Sequence, residues 1–327
     1  MKAILYKKYG PLDDLVLKDV EKPIPKDNEV LVKVYAASVN FNNLVFVKGE
    51  PFLARLETGL LKPKFKIPGN DISGRVEAVG IDVKQFQQGD EVFGDTSECG
   101  FGAFGEYVSV TENALALKPT NISFEEAAVV PEAALVALQA LRDRGQIHNG
   151  KKVLICGASG GIGTFAVQIA KYFGTEVSGV CSTNNLELVR SIGADHVIDY
   201  TQEDFIKNRQ RYDLILATAG YRSMFDYRRA LSPKGICVVT GGNMSQIFHA
   251  MLLGPWISMV GSKKLGSMLV TPNKDLSFVK ELLEAGKVKP VIDRRYSLSE
   301  VPEALRYYEK GHAKGKVVIY VEHGNKT

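Results

Sequence analysis

Little in this chain of 327 residues is written for a membrane, a disulfide frame or a polyanion. No run approaches the about 18 apolar residues that a bilayer span requires. Met1-Lys2-Ala3-Ile4-Leu5 leads straight into strand-like sequence without a signal-cleavage pattern, so the expected compartment is cytoplasmic. Cysteine is scarce: Cys99, Cys156, Cys181 and Cys237 lie far apart and form no C-x-x-C pair, which points to reduced thiols. An excess of one charge is also lacking. Lys and Arg number 41 against 37 Asp and Glu, for a net charge of +4, and the signs interleave. No basic stripe of the kind that tracks a phosphate backbone results, so nucleic acid is not the expected partner.

What is present is ordinary globular material, 45% apolar and 24% charged, of a length that suggests two domains. The front reads as short strands: Lys2 to Lys7, Leu15 to Val20, Glu29 to Ala36, Ile72 to Val79, Asp90 to Phe93, Glu106 to Val110 and Ala114 to Lys118. Turn signals such as Gly10-Pro11 and Gln88-Gly89-Asp90 separate them. The period changes at Ser123-Phe124-Glu125-Glu126, where a Ser cap with Glu three residues on starts a helix. Helices and strands then alternate, with strands expected at Val153 to Cys156, Glu176 to Cys181, His196 to Asp199, Leu214 to Ala217, Ile236 to Thr240 and Ile257 to Val260. Six such strands predict an α/β fold with a doubly wound parallel sheet. Beyond Gly261 come helices at Asp275 to Ala285 and Val301 to Lys310, the pair Val291-Ile292, and a closing strand Val317 to Val321.

The chemistry concentrates at Gly157-Ala158-Ser159-Gly160-Gly161-Ile162-Gly163, which follows the strand Val153-Leu154-Ile155-Cys156 and opens a helix. Ile162, Ala166, Ile169 and Phe173 share one face of that helix and Gly174 ends it. Glycines are needed there because the backbone must bend sharply and bring helix N-terminal amides against a diphosphate. The plain alternative is a tight turn between packed elements. The next strand ends Ser182-Thr183-Asn184-Asn185, with no carboxylate to repel a 2′-phosphate and with hydroxyls and amides to bond it. NADPH is therefore expected over NADH, although Ser182 and Thr183 could equally cap the following helix.

Six motifs in order complete the pattern: Ala37-Ser38-Val39-Asn40, Pro68-Gly69-Asn70-Asp71-Ile72-Ser73-Gly74-Arg75-Val76, Gly89-Asp90-Glu91-Val92-Phe93-Gly94, Gly102-Ala103-Phe104-Gly105-Glu106-Tyr107-Val108, the glycine turn, and Gly193-Ala194-Asp195-His196-Val197-Ile198-Asp199-Tyr200. With them the chain resembles the medium-chain dehydrogenase/reductase superfamily, in its zinc-independent quinone oxidoreductase-like branch. The resemblance implies a GroES-like catalytic domain over 1–122, completed by 263–327, and a Rossmann NADP(H)-binding domain over 123–262. It implies NADPH, a small lipophilic or electrophilic substrate, and a homodimer formed through the edge of the Rossmann sheet, where Pro255 to Val260 would lie. Zinc relatives take the metal from a Cys near the Ser38-Val39-Asn40 position, a His in a Gly-His-Glu motif and a later Cys. Here Asn40 and Asn70 stand at the first two, and the histidines and cysteines are scattered, so no metal is expected.

By the same resemblance Asn40 is the candidate donor to the nicotinamide ribose or the substrate oxygen, with a local backbone bond as the alternative. Asn43, where many relatives have Asp, is a weaker candidate. Tyr200, Thr240-Gly241-Gly242-Asn243 and Lys316 are further cofactor candidates, with a helix-entry turn and a solvated lysine as their plain readings. Val136 stands where relatives often carry Thr, and Phe46 and Phe52 occupy a stretch where some carry tyrosines; proton delivery from solvent is the default. Between Lys48 and Lys66, Phe52, Leu53, Leu56, Leu60, Leu61 and Phe65 are expected to form a packed helix with a basic rim, the alternative being an apolar mouth for substrate. Cys99 and Cys181 are read as structural. The function expected is NADPH-dependent reduction of quinones or other carbonyl-activated substrates. The alternatives are an enone, enal or enoyl-thioester C=C reductase and an NADPH-binding sensor or structural protein with little turnover.

Overall fold

In the computed structural model the described residues are 1–220, 222–242, 244–259 and 261–323, with the main chain alone for Met244. Their elements run β1 (Lys2–Leu5), β2 (Val16–Asp19), β3 (Glu29–Val39), α1 (Phe41–Lys48), α2 (Arg55–Thr58), β4 (Asp71–Val79), β5 (Glu91–Asp95), β6 (Tyr107–Thr111), β7 (Leu115–Leu117), α3 (Phe124–Ala128) and α4 (Pro131–Gln139). They continue with β8 (Lys152–Cys156), α5 (Gly161–Tyr172), β9 (Glu176–Cys181), α6 (Leu186–Ser191), β10 (His196–Asp199), β11 (Tyr212–Ala217), α7 (Met224–Ala230), β12 (Leu231–Val239), α8 (Met244–Met259), β13 (Lys264–Ser267), α9 (Leu276–Glu284), β14 (Ile292–Ser297), α10 (Val301–Glu309) and β15 (Lys316–Tyr320). The chain divides into two units, Met1–Glu132 with Pro272–Glu284 and Pro290–Thr327, and Ala133–Thr271 with Ala285–Lys289. The first division thus falls in the opening turn of α4, whereas the sequence pattern changes at Ser123, where a reciprocal Ser123–Glu126 capping box starts α3.

The first unit is built around β3, whose side chains are buried along most of its length. β4, β6 and β15 all pair with it antiparallel, and the sheet order is β14-β15-β3-β4-β5-β7. The register Val317↔Val39 and Ile319↔Ala37 shows the tail returning to the front of the chain. Ile4, Val32, Val34, Ile72, Val92, Phe104, Leu305, Val317 and Ile319 lie in one apolar core. α10 joins it through Val301, Ala304 and Leu305 at helical spacing.

The second unit is a parallel sheet in the order β10-β9-β8-β11-β12-β13, the doubly wound arrangement expected, with its crossover beside β8. Its sixth strand is not Ile257 to Val260. Ile257 through Met259 close the helix α8, Val260 lies outside the described residues, and the strand is Lys264–Ser267. The run from Ile247 to Met259 is apolar all round, so it carries neither period, and Pro255 suits a sheet interior poorly. Packing decides for the helix. A Cβ at Gly254 would stand 2.7 Å from the Leu265 carbonyl oxygen, so α8 rests directly on β13. The Ser258 hydroxyl donates to the Gly254 carbonyl at 2.7 Å and accepts from the Leu265 N–H at 2.9 Å. No described helix is long and apolar enough to cross a membrane.

Candidate functional site

Two constellations, one in each unit, carry the chemistry. In the second unit β8 delivers the chain to the glycine turn, whose Gly157 and Ala158 N–H groups donate to the Val180 carbonyl of β9 at 3.1 and 3.0 Å. Gly157 has φ +82°, and a Cβ there would meet the Ala219 side chain at 2.5 Å. At Gly163 a Cβ would stand 2.0 Å from the Gly157 carbonyl oxygen, so only glycine lets α5 start against the turn. Gly160 differs: a Cβ there meets nothing nearer than the Gly157 oxygen at 3.5 Å. That is a cradle at a helix N-terminus which a methyl group would fill, and it fits a diphosphate. Ala158 and Ser159 are buried, Gly161 opens α5, and Phe165, Ala166 and Ile169 anchor it.

Beyond β9, Ser182 and Asn185 turn back to the glycine turn, the Asn185 amide donating to the Ser159 hydroxyl at 3.0 Å and the Ser182 hydroxyl at 3.3 Å. Thr183 turns away and donates to Asp199 Oδ2 at 2.6 Å. Asn184 is exposed, as is Tyr200, whose N–H bonds the Cys181 carbonyl. Asp199 itself was not singled out from sequence. The hydrogen bonds from Thr183 and Thr201 hold its carboxyl below the usual range, so an ionised carboxylate stands beside the four-residue turn. At the end of β12 the Thr240 N–H donates to Ala217, and the Thr240 hydroxyl is buried without a protein partner. Gly241 accepts from the Gln246 amide at 3.1 Å, Gly242 has φ +96°, and Asn243 lies outside the described residues.

In the first unit a polar cluster is sealed between β3, β4, β5, β15 and the start of α4. Asn40 caps α1, and its N–H donates to the Asn43 side-chain oxygen at 2.8 Å. Both hydrogens of the Asn40 amide are engaged, by Asp71 Oδ2 at 2.8 Å and Asn70 Oδ1 at 3.3 Å. The Asn43 amide donates to Asn70 Oδ1 at 2.9 Å. Lys316 is no solvated lysine: its ammonium is buried, donates to the Asn40 side-chain oxygen and to the Val39 carbonyl at 3.2 Å, and lies 3.8 Å from Asp71 Oδ2. Asp71 also accepts from Ser38 at 3.1 Å and from the Glu132 N–H at 3.1 Å. Glu132, half-buried, accepts from Asn70 at 2.9 Å and Asn42 at 3.2 Å.

One carboxylate oxygen each from Asp71, Asp95 and Glu132 lies within 4.8 Å of the others. Burial pushes Asp71 up to about 7, the nearby Asp95 adding to the shift and Lys316 opposing it. Burial together with Asp71 and Asp95 pushes Glu132 up to about 8. Asp95 is raised by burial too, and burial lowers Lys316 against the pull of the three carboxylates. Asp95 and Glu132 carry no local sequence signal, and Asp71 appears only within the Pro68 to Val76 motif.

Zinc does not fit this donor set. Among the described residues no cysteine or histidine joins the group, its amides bond one another, and an ammonium already supplies the local positive charge. The segment from Lys48 to Lys66 does not form the expected packed helix. It breaks into short turns with Phe52, Leu53, Leu56, Leu60 and Leu61 exposed, the last by 91%, while Phe65 and Phe46 pack on Phe101. Cys181 is buried, and Cys99 packs against the core of the first unit.

Residues 26–120 match the alcohol dehydrogenase GroES-like domain, and residues 192–319 match the zinc-binding dehydrogenase family. The chain is 36% identical to the 2-methylene-furan-3-one reductase of Solanum lycopersicum over 98% of its own length and 79% of that protein. It is 35% identical to the chloroplastic NADPH-dependent alkenal/one oxidoreductase of Arabidopsis thaliana, with the same coverage. Among solved structures, the quinone oxidoreductase from Coxiella burnetii superposes with a TM-score of 0.87 at 30% identity, over 98% of this chain and 99% of that one.

Proposed function

The chain belongs to the medium-chain dehydrogenase/reductase superfamily, in its quinone oxidoreductase-like branch, and from that premise we propose an NADPH-dependent, zinc-independent reductase of quinones or other carbonyl-activated substrates. That it is an oxidoreductase using a nicotinamide cofactor follows from the family. The observation that carries the dinucleotide part of this reading is the glycine cradle at the N-terminus of α5, on the sheet order that suits a dinucleotide.

Gly157 to Gly163 would hold the diphosphate through main-chain N–H groups, with Ser159, Ser182, Asn184 and Tyr200 at the ribose and its phosphate. The unpartnered Thr240 hydroxyl and the Gly241-Gly242 main chain would line the nicotinamide. A bound nicotinamide supplies hydride to an electrophilic carbon or quinone oxygen. Asn40 spends both amide hydrogens and Asn43 one of its two within the protein, so we assign them to holding the first unit's loop rather than to bonding a substrate oxygen. Solvent is then the proton source. The buried ammonium of Lys316 supports zinc independence.

The relatives named as reductases of a methylene-furanone and of alkenals support a second reading, saturation of an activated C=C bond. We further propose a homodimer. α8 exposes Phe248, Met251, Leu252, Trp256 and Met259 along one stripe, and β13 pairs only with β12 among the described residues. Three buried free cysteines fit a reducing compartment such as the cytoplasm.

The test is turnover of NADPH or NADH with ortho-quinones, short enones and aldehydes, with and without a chelator, alongside product analysis and sedimentation. Quinone turnover that survives the chelator supports the reading. A saturated enone formed faster than any quinone is reduced would move the assignment to the second reading. NADPH binding without turnover of any substrate would leave a binding protein, and loss of activity with the chelator would sink zinc independence.

A further inference from the structure

Large apolar side chains crowd one short stretch of the first unit. Phe52, Leu53, Leu56, Leu60 and Leu61 are all at least half exposed, although the main chain beneath them is pinned. The buried Thr58 accepts at its carbonyl from the Lys64 N–H at 2.6 Å, and its hydroxyl bonds the Tyr9 hydroxyl at 2.8 Å. Tyr9 also donates to the Gly59 carbonyl at 2.5 Å, and Arg55 Nε donates to the Gly49 carbonyl at 3.0 Å. A Cβ at Gly59, where φ is +117°, would stand 2.3 Å from the Lys62 carbonyl oxygen, so the turn that carries Leu60 and Leu61 closes tightly. Collapse of these side chains onto the core is therefore prevented, and they are held outward.

The charge beside them has one sign. From Pro51 to Lys66 there are four cations, Arg55, Lys62, Lys64 and Lys66, against the single carboxylate of Glu57. Arg55 is turned inward, its guanidinium 4.7 Å from the centre of the Tyr9 ring. Directly after the leucine turn, exposure alternates: Lys62, Lys64 and Lys66 are exposed, Pro63 is buried and Phe65 is half-buried, its ring packed on Phe101 at 5.3 Å. In extended chain that alternation sets the three ammoniums on one side. Among the described residues no ion pair holds any of the three.

These features choose the occupant. A side chain that lines a ligand pocket is walled on most sides, whereas Leu61 at 91% exposure faces no wall. The centre of a protein interface is depleted in lysine, which argues against a second copy. Apolar side chains flanked by lysines suit a lipid surface: the first enter the boundary between headgroups and acyl chains, and the second meet anionic headgroups. Neither signal alone holds a protein there firmly, and this segment carries both.

We propose that the segment Phe52 to Lys66 docks the protein on an anionic lipid bilayer, with Leu60 and Leu61 inserted at its surface and Lys62, Lys64 and Lys66 at the headgroups. The proposal goes beyond the reductase reading and does not depend on it. Joined to that reading, it places the enzyme where a lipophilic substrate dissolves.

The test is flotation of the full chain with vesicles of phosphatidylcholine, alone or with about 30% phosphatidylglycerol, at low and high salt. The parent is compared with Leu60→Ser/Leu61→Ser, with Lys62→Ala/Lys64→Ala/Lys66→Ala and with Ile81→Ser, an exposed apolar control outside the segment; unfolding midpoints confirm that each is folded. The parent should partition at least about tenfold more onto the anionic vesicles, and salt should weaken that binding. Both segment variants should lose about tenfold or more, and Ile81→Ser should match the parent. A folded parent that ignores anionic vesicles, or segment variants that bind as well as the parent, would overturn the proposal. So would a leucine variant that keeps vesicle binding but dissolves a self-association seen in sedimentation, or one that keeps it but raises the KM for a quinone. A parent that binds vesicles and turns over no substrate would sink the reductase reading and leave the docking surface in place.

Discussion

The Lys316 ammonium donates to the side-chain oxygen of Asn40, joining the first residue of β15 to the residue that caps α1. That bond orients the Asn40 amide so that both its hydrogens point to Asn70 and Asp71. The lysine thus acts twice, as the counter-charge for three carboxylates and as the group that sets the direction of an amide network.

Removing that ammonium leaves Asp71 buried and uncompensated. Lys316→Met should cost about 3–5 kcal/mol of stability, and adding Asp71→Asn should recover part of it. Denaturant midpoints of the single and double variants check this. A Lys316→Met protein as stable as its parent would rule out the counter-charge role.

The carboxyls of Asp71 and Glu132 lie far above the ordinary range, so the folded protein holds protons there that the unfolded chain releases. Their contribution is complete below the unfolded carboxylate pKa and is lost as pH rises through their folded values. Stability should therefore fall between about pH 5 and about pH 8. The lowered pKa of Lys316 acts in the opposite sense. Glu132→Gln should flatten the decline in urea midpoints; an equally steep slope in that variant would remove Glu132 from the account.

The two turn glycines should respond differently to alanine. Gly163→Ala forces a methyl onto the Gly157 carbonyl, which should cost about 1–3 kcal/mol and abolish dinucleotide binding. Gly160→Ala meets only an ordinary contact at 3.5 Å and should fold normally, yet lose at least about tenfold in NADPH affinity because its methyl fills the cradle. Thermal shift with and without NADPH separates the cases, and unchanged affinity in Gly160→Ala would count against a diphosphate there.

What the sequence reveals depends on how locally each feature is specified. The glycine turn is legible because strand, glycines and helix lie within some twenty residues and each obeys a local rule. The strands of the front, β1 to β7, are legible to within a few residues because turn residues bracket them, whereas of β14 only Val291-Ile292 at its start is marked. α8 is not, since thirteen residues from Ile247 to Met259 without a polar period satisfy strand and helix templates alike. The carboxylate cluster is invisible for another reason. Asp71, Asp95, Glu132 and Lys316 sit on four separate elements, brought together by the pairing of β3 with β4 and β15, the Asp71↔Asp95 register of β4 with β5, and the bond from the Glu132 N–H at the start of α4 to Asp71. The hydrogen bond from Thr183 to Asp199 is similar: it depends on β9 and β10 lying side by side.

The register between β15 and β3 also has a meaning in time. Translation delivers Asp71, Asp95 and Glu132 first, then the whole of the second unit through Lys289, and only afterwards the strand that carries Lys316. The nascent front of the chain therefore waits with its acidic residues unmatched. The unit begun first is finished last, and the later-made parallel sheet is free to fold before it.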